Sequence, residues 1–225
     1  MRTRCTRAGS PKGLRMLEPV HDQAAGLLAW NLQPPTRVLA VVATERGSAS
    51  LELLWRLRQG CEAIGVASAV VEGLPGTWPD DGPQAGGVWL WHTPVNTAVS
   101  WWPVEDGGRP LVALTAEPAA LVAAYRALKV LRQAGLQPVV VALPDEAQGC
   151  AGARGDCAPA PLHAALSALQ RTCQAHLGWV PAVWRLGYHE YPSAEPGGEA
   201  VLYKILDAAW TLDVPGGEGG GRRPC

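Results

Sequence analysis

The chain has 225 residues, 48% of them hydrophobic, which is enough to bury a full core within one domain. A formal net charge of −1 argues against partners that bind through phosphate backbones or anionic lipid, so no nucleic acid is expected and membrane contact is at most peripheral. Phe is absent while Trp occurs ten times, so Trp is expected to fill core and interface volume.

Residues 1–19 open with Arg2, Arg4, Arg7, Lys12 and Arg15 and show little periodicity, which predicts a disordered basic N-terminus. A translation start at Met16 would remove most of it. The next segment, 20–33, reads as a short helix: Asp22 can cap it, Ala24, Leu27 and Leu28 fall on one side and Gln23 on another. Pro34-Pro35 separates this segment from the first strand, which suits a segment offered to a partner.

Arg37 to Ala43 is a continuous apolar run, the pattern of a parallel strand buried on both faces. A polar turn, Thr44 to Ser50, leads into helical spacing over Leu51–Arg58, with Gly60 as the expected stop. Strand, short loop and helix are the setting of a phosphate-binding loop, but the chemistry of one is missing. Only Gly47 remains of the glycines, the Lys-Ser/Thr positions read Ser50-Leu51, and Glu45 places a negative charge where phosphates would lie.

Further strands are expected at Gly65–Val71, Val88–Trp91, Leu111–Thr115 and Val139–Leu143. Between the third and fourth lies a Trp-rich stretch, His92 to Trp102. Leu121, Tyr125, Leu128 and Leu131 stripe a helix that ends at Gly135, and Leu162, Leu166, Leu169, Cys173 and Leu177 stripe another. Trp179–Trp184 is expected as an edge strand, since it tolerates Pro181. Val201, Leu202, Ile205, Leu206, Ala209 and Trp210 form the apolar side of a final helix, and residues 214–225 read as a flexible tail. Strands alternating with helices predict an α/β fold: a three-layer, mostly parallel sheet with helices on both faces.

The six cysteines show no paired metal spacing, and the loop between Cys150 and Cys157 reads as an ordinary reduced loop. No apolar run approaches a bilayer span and no signal-peptide core follows the basic start, so the chain is expected to be cytoplasmic.

Three pieces in order give a family resemblance. Asp22-Gln23-Ala24-Ala25-Gly26-Leu27 is similar to a DQAxxL segment. Arg37 to Val41 is similar to a strand entering a P-loop. Leu114-Thr115-Ala116-Glu117-Pro118 with Ala124-Tyr125 to Leu131 is similar to a T-x-P-E-P…AY-x-x-x-K-x-L stretch. Leu177-Gly178-Trp179-Val180-Pro181 adds a weaker L-G-x-x-P. The chain resembles the MinD/ParA-like flagellar-number regulators, FlhG or FleN, over roughly residues 20–212.

The resemblance implies a P-loop NTPase-like fold of the SIMIBI, MinD type over 36–213. The departures from it fall on nucleotide chemistry. The family's lysines align with Glu45 and with Ser50-Leu51, its acidic pair after the second strand with Glu72-Gly73-Leu74, and its aspartate ending the third strand with Trp91. The asparagine near adenine aligns with Ala142. A Mg-ATP complex needs cations for its phosphates and oxygen ligands for its metal, so ATP binding and hydrolysis are expected to be lost, with no cofactor and no metal.

The resemblance also implies a partner: the flagellar signal-recognition-type GTPase FlhF, on which the family's N-terminal helix docks. Gln23 would complete that enzyme's site in trans, beside the partner-binding residues Asp22, Ala24 and Leu27. A primary amide both donates and accepts, so it can orient an attacking water. The protein would be recruited by its partner to the cell pole or membrane, and a flagellar transcription regulator or a basal-body protein would be further partners. Two other readings compete. In one, Glu45, Glu72, His92, Glu117 and Asp145, near strand ends, form a remodelled ATP-binding or acid–base site. In the other, Trp89, Trp91, Trp101 and Trp102 form a protein-binding face.

Overall fold

A fully buried strand organises the sheet. In β1 (Arg37–Ala43), residues Val38 to Val42 are all shielded from solvent, as a parallel strand covered on both faces must be. A computed structural model describes residues 35–44, 48–79, 82–83, 86–103, 107–144, 161–187 and 198–211, all within one compact unit, Pro34–Cys225. The segments 1–19, 20–33 and 214–225 lie outside the described residues.

After β1 come α1 (Ala49–Ala63), β2 (Ser68–Val71), a 3-10 turn at Pro75–Thr77, β3 (Val88–Pro94) and α2 (Val95–Trp101). The chain continues through β4 (Leu111–Leu114), α3 (Pro118–Gln133), β5 (Val139–Ala142), α4 (Pro161–Leu177), β6 (Ala182–Arg185), α5 (Gly198–Leu206) and β7 (Trp210–Thr211). The seven-stranded sheet has the order β2-β3-β1-β4-β5-β6, every neighbouring pair parallel, and β7 lies antiparallel against β1. The expected three-layer α/β architecture is what the chain forms.

The two faces of β1 are divided by strand alternation. Leu39 and Val41 meet Leu53, Leu57 and Cys61 of α1 and Leu202 and Ile205 of α5. On the opposite face Val42 joins Val112, Leu114 and Val140 beneath α2, α3 and α4, where Leu128, Leu131, Leu166 and Leu169 are buried. Each such leucine contributes about 1.5–3 kcal/mol of transfer free energy.

The β2–β3 end of this second face has no helix over it among the described residues. Aromatic rings take that place. Trp78 lies 5.6 Å from Trp89 and 5.9 Å from Trp91, Trp91 lies 5.8 Å from Trp210, and Trp210 lies 4.8 Å from Trp102, measured between ring centroids. Tilted and edge-on pairs at these separations are favourable beyond the area they bury. Gly82 sits directly on this cluster: a Cβ there would collide with the Trp89 ring, so no side chain fits unless the ring moves.

Four expectations need correction. Gly60 does not stop the first helix, because it is buried within α1; Gly65, at φ +72°, supplies the left-handed turn two residues after the helix. The third strand runs past Trp91 to Pro94, and the Trp-rich stretch then turns at once into α2, because Pro94 ends the ladder and can precede a helix. The second strand is shorter than expected, starting at Ser68 rather than Gly65. Ala209 and Trp210 do not extend the last helix, which ends at Leu206. Trp210 instead pairs with Val38 in β7, on the part of the β1 edge that β4, starting opposite Val41, does not reach.

A charge lies buried between α1 and the far strands. Arg56, 2% exposed, donates from Nε to Oε1 of Glu52 at 2.8 Å and from Nη1 to the carbonyls of Pro144 at 3.0 Å and Leu186 at 2.8 Å. It thereby ties α1 to the chain leaving β5 and β6. Arg56→Met keeps the apolar stem but leaves these acceptors without that donor. The expected loss of stability is about 2–4 kcal/mol, given ~1–3 kcal/mol for each buried acceptor left unsatisfied. Urea unfolding measures it, and a loss within about 0.5 kcal/mol, typical of an ordinary surface change, would contradict the assignment.

Candidate functional site

Ligands of open parallel sheets bind outside the carboxyl ends of the strands. At that edge, β1 leads toward α1, and β2 ends beside β3, which runs on to Pro94. Val71 pairs with Trp91 in the β2–β3 ladder, so Glu72 comes one rung later, level with His92. Alternation puts His92 on the same face as Val88 and Leu90, the face that α1 covers. Ser50, the second residue of α1, is therefore within its reach.

The three side chains form a line. Oε1 of Glu72 is 3.1 Å from Nδ1 of His92, and Nε2 of His92 is 3.3 Å from Oγ of Ser50. The line runs inward from solvent: the Glu72 side chain is 75% exposed, that of His92 is 15% exposed, and Ser50 is 3% exposed. With a proton on Nδ1 the ring donates to the carboxylate, and in that tautomer Nε2 is free to accept from the Ser50 hydroxyl. Ser48 begins α1 without a side-chain capping bond, so first-turn N–H groups beside Ser50 lack both that cap and a partner inside the helix.

Trp91 faces the other way. It is fully buried in β3, and its indole N–H donates to the Gly73 carbonyl at 2.8 Å. Gly73 has φ +78°, the left-handed conformation that turns this carbonyl toward the ring. An indole therefore fills this position of β3. Ala142 is a fully buried residue of β5.

The other candidate residues are scattered. Glu45 and Gly47 lie outside the described residues, as do Asp22, Gln23, Ala24, Leu27, Asp145, Cys150 and Cys157. Glu117 is the residue before α3 and makes no side-chain capping bond. Trp89 and Trp91 are core residues and Trp102 packs on Trp210, which leaves Trp101, 42% exposed, as the outward ring of the four. Sequence reasoning missed the Ser50–His92 contact. Its signal was the strand period: with Val88 and Leu90 facing a helix, His92 had to face that helix too.

Among the described residues no three His, Cys, Asp or Glu side chains lie close enough together to hold a metal ion. A magnesium–triphosphate group needs cationic or N–H donors for its phosphates and carboxylate or hydroxyl oxygens for its metal. The described side chains of this corner do not fit it: Ser50 is engaged by His92, Glu72 by the same ring, and Trp91 offers the metal nothing. Burial raises the thiols of Cys61 and Cys173 above their ordinary range, for Cys61 against smaller opposing effects of Ser68 and Arg37, so both stay protonated. No helix among the described residues is long and apolar enough to cross a membrane.

Compared with known proteins, the chain matches no family model, and no curated protein is significantly similar to it.

Trp91 and His92 are adjacent in sequence but carry different weight. Trp91→Ala is expected to cost about 3–5 kcal/mol, as for a buried aromatic ring. His92→Gln, which breaks a contact to an exposed carboxylate, is expected to cost no more than about 1 kcal/mol. Paired denaturant titrations check this, and equal losses would mean that the polar line holds this corner as firmly as the indole does.

Proposed function

We propose that this chain is a non-hydrolysing relative of the MinD/ParA-like flagellar-number regulators. In this reading it binds the flagellar signal-recognition-type GTPase through segment 20–33. Gln23 then enters the partner's catalytic site, Asp22 orients the segment and Leu27 anchors it. The domain beyond Pro35 is a scaffold of the P-loop, MinD type whose own nucleotide site has been given up. The chain would be cytoplasmic and drawn to the pole or membrane by its partner.

One observation carries the loss of the nucleotide site: the Trp91 indole, buried and bonded to the Gly73 carbonyl, at the place where such a site needs a carboxylate. A neutral donor cannot ligate magnesium, and a buried ring leaves no room for water around the ion. The order of β1 followed closely by α1, by contrast, is the order in which a phosphate loop is built. Retained scaffold with lost chemistry is the pattern of a protein used for binding. The work in trans is assigned to Gln23 from the DQAxxL resemblance.

The test is GTP turnover by the partner enzyme with and without this chain. Stimulation is expected, and Gln23→Ala is expected to remove it, a loss of at least about tenfold set against the ~10²–10⁴-fold that a positioned proton-transfer group contributes. Unchanged partner turnover on adding the wild-type chain, or full stimulation by Gln23→Ala, would contradict the assignment.

A further inference from the structure

We propose that Ser50 is a nucleophile, activated by His92 and Glu72, that accepts an acyl group from small esters. The inference goes beyond the partner-binding reading and is independent of it, since it uses no residue of segment 20–33.

The observation behind it is the order of the contacts as well as their presence. General-base activation of a serine requires one ring nitrogen of a histidine facing the hydroxyl and a carboxylate on the other nitrogen. Here Nε2 faces Oγ of Ser50 at 3.3 Å and Nδ1 faces Oε1 of Glu72 at 3.1 Å. Contacts of this length are usual before substrate binds, because such bonds tighten in the reacting complex. Three separate elements supply the three groups: the start of α1, the interior face of β3 and the residue after β2.

A second observation concerns charge. Attack on a carbonyl creates an oxyanion that needs N–H donors close to the nucleophile. Ser50 lies in the first turn of a 15-residue helix whose N-cap side chain makes no capping bond. The amides beside Oγ therefore have no intrahelical acceptor, and the positive end of the helix dipole favours a developing negative charge.

Burial sets the substrate class. Ser50 is 3% exposed and the imidazole presents only 15% of its side chain, so the proposal is restricted to small acyl esters and excludes polymers. The step balances without a further reagent. Oγ attacks the ester carbon while its proton passes to Nε2, and Glu72 stabilises the resulting imidazolium. The carbon–oxygen bond to the alcohol then breaks and Nε2 returns the proton to the leaving alkoxide. The product is acyl-Ser50 and a free alcohol; water entering by the reverse sequence releases the acid. The two described cysteines do not compete, since both thiols are buried and protonated.

The experiment uses the full chain and an alkyl fluorophosphonate, which phosphonylates activated serines with loss of fluoride. Intact-mass spectrometry is expected to show one adduct per chain, and peptide mapping to place it on Ser50. Ser50→Ala is expected to lose the adduct. His92→Gln, which leaves the hydroxyl in place, is expected to slow labelling by at least tenfold, and Glu72→Gln to slow it by a smaller factor. Near-UV circular dichroism of each variant establishes that the fold persists, and His92→Gln decides the matter should Ser50→Ala not fold. No adduct on the wild-type chain, an adduct elsewhere, or labelling unchanged by His92→Gln would overturn the proposal and leave the partner-GTPase reading intact.

Discussion

The hydrogen bond from the Trp91 indole to the Gly73 carbonyl fixes more of this molecule than its size suggests. It closes the turn after β2 onto β3 and holds the largest fully buried side chain among the described residues in the aromatic core. Trp78 and Trp210 pack against that ring from two different parts of the chain, and Trp102 packs on Trp210. An α/β sheet covers each face with helices; here one end of one face is covered by indoles. A tryptophan buries ~150–250 Å², so a few of them can replace a helix turn in covering the sheet, provided each ring is held in one orientation. At Gly82 the chain passes so close to Trp89 that a side chain there would require the ring to move.

The neighbouring residue turns the same strand to a different use. Because β3 alternates, seating Trp91 in the aromatic core obliges His92 to face α1, where Ser50 and Glu72 meet it. A fold of this type places its ligands at the carboxyl edge of the sheet, and at that edge Glu72, His92 and Ser50 are in side-chain contact. The proposed loss of nucleotide binding and the proposed serine chemistry both rest on this corner.

Much of the fold was legible because local pattern and tertiary role agree. The runs in β1, β4 and β5 are buried on both faces, and the leucine stripes of α3 and α4 point into one core. Legibility failed where tertiary contacts overrode local signals. Gly60 has the composition of a helix stop, yet packing in the core carries α1 past it to Gly65. Trp210 continues the apolar stripe of α5, yet an open length of the β1 edge draws it into a strand. His92 to Trp102 reads only as a Trp-rich stretch because strand, proline and short helix succeed one another with no intervening residue. Nothing in the sequence singles out Arg56, and only the fold reveals that its guanidinium reaches carbonyls 88 and 130 residues away. At the site, Ser50, Glu72 and Trp91 were picked out by what they lack, while the contact between the first two through His92 depends on register.

The central claim is that side chains of this protein occupy the corner where a relative of this shape would hold a nucleotide. Calorimetric titration of the full chain with Mg-ATP tests it most directly, with thermal unfolding as a parallel readout, since a ligand at 100 times its Kd would stabilise the fold by about 2.7 kcal/mol. The account predicts no saturable heat and no rise in Tm at millimolar Mg-ATP. Saturable binding in the micromolar range, competed by ADP, would contradict it.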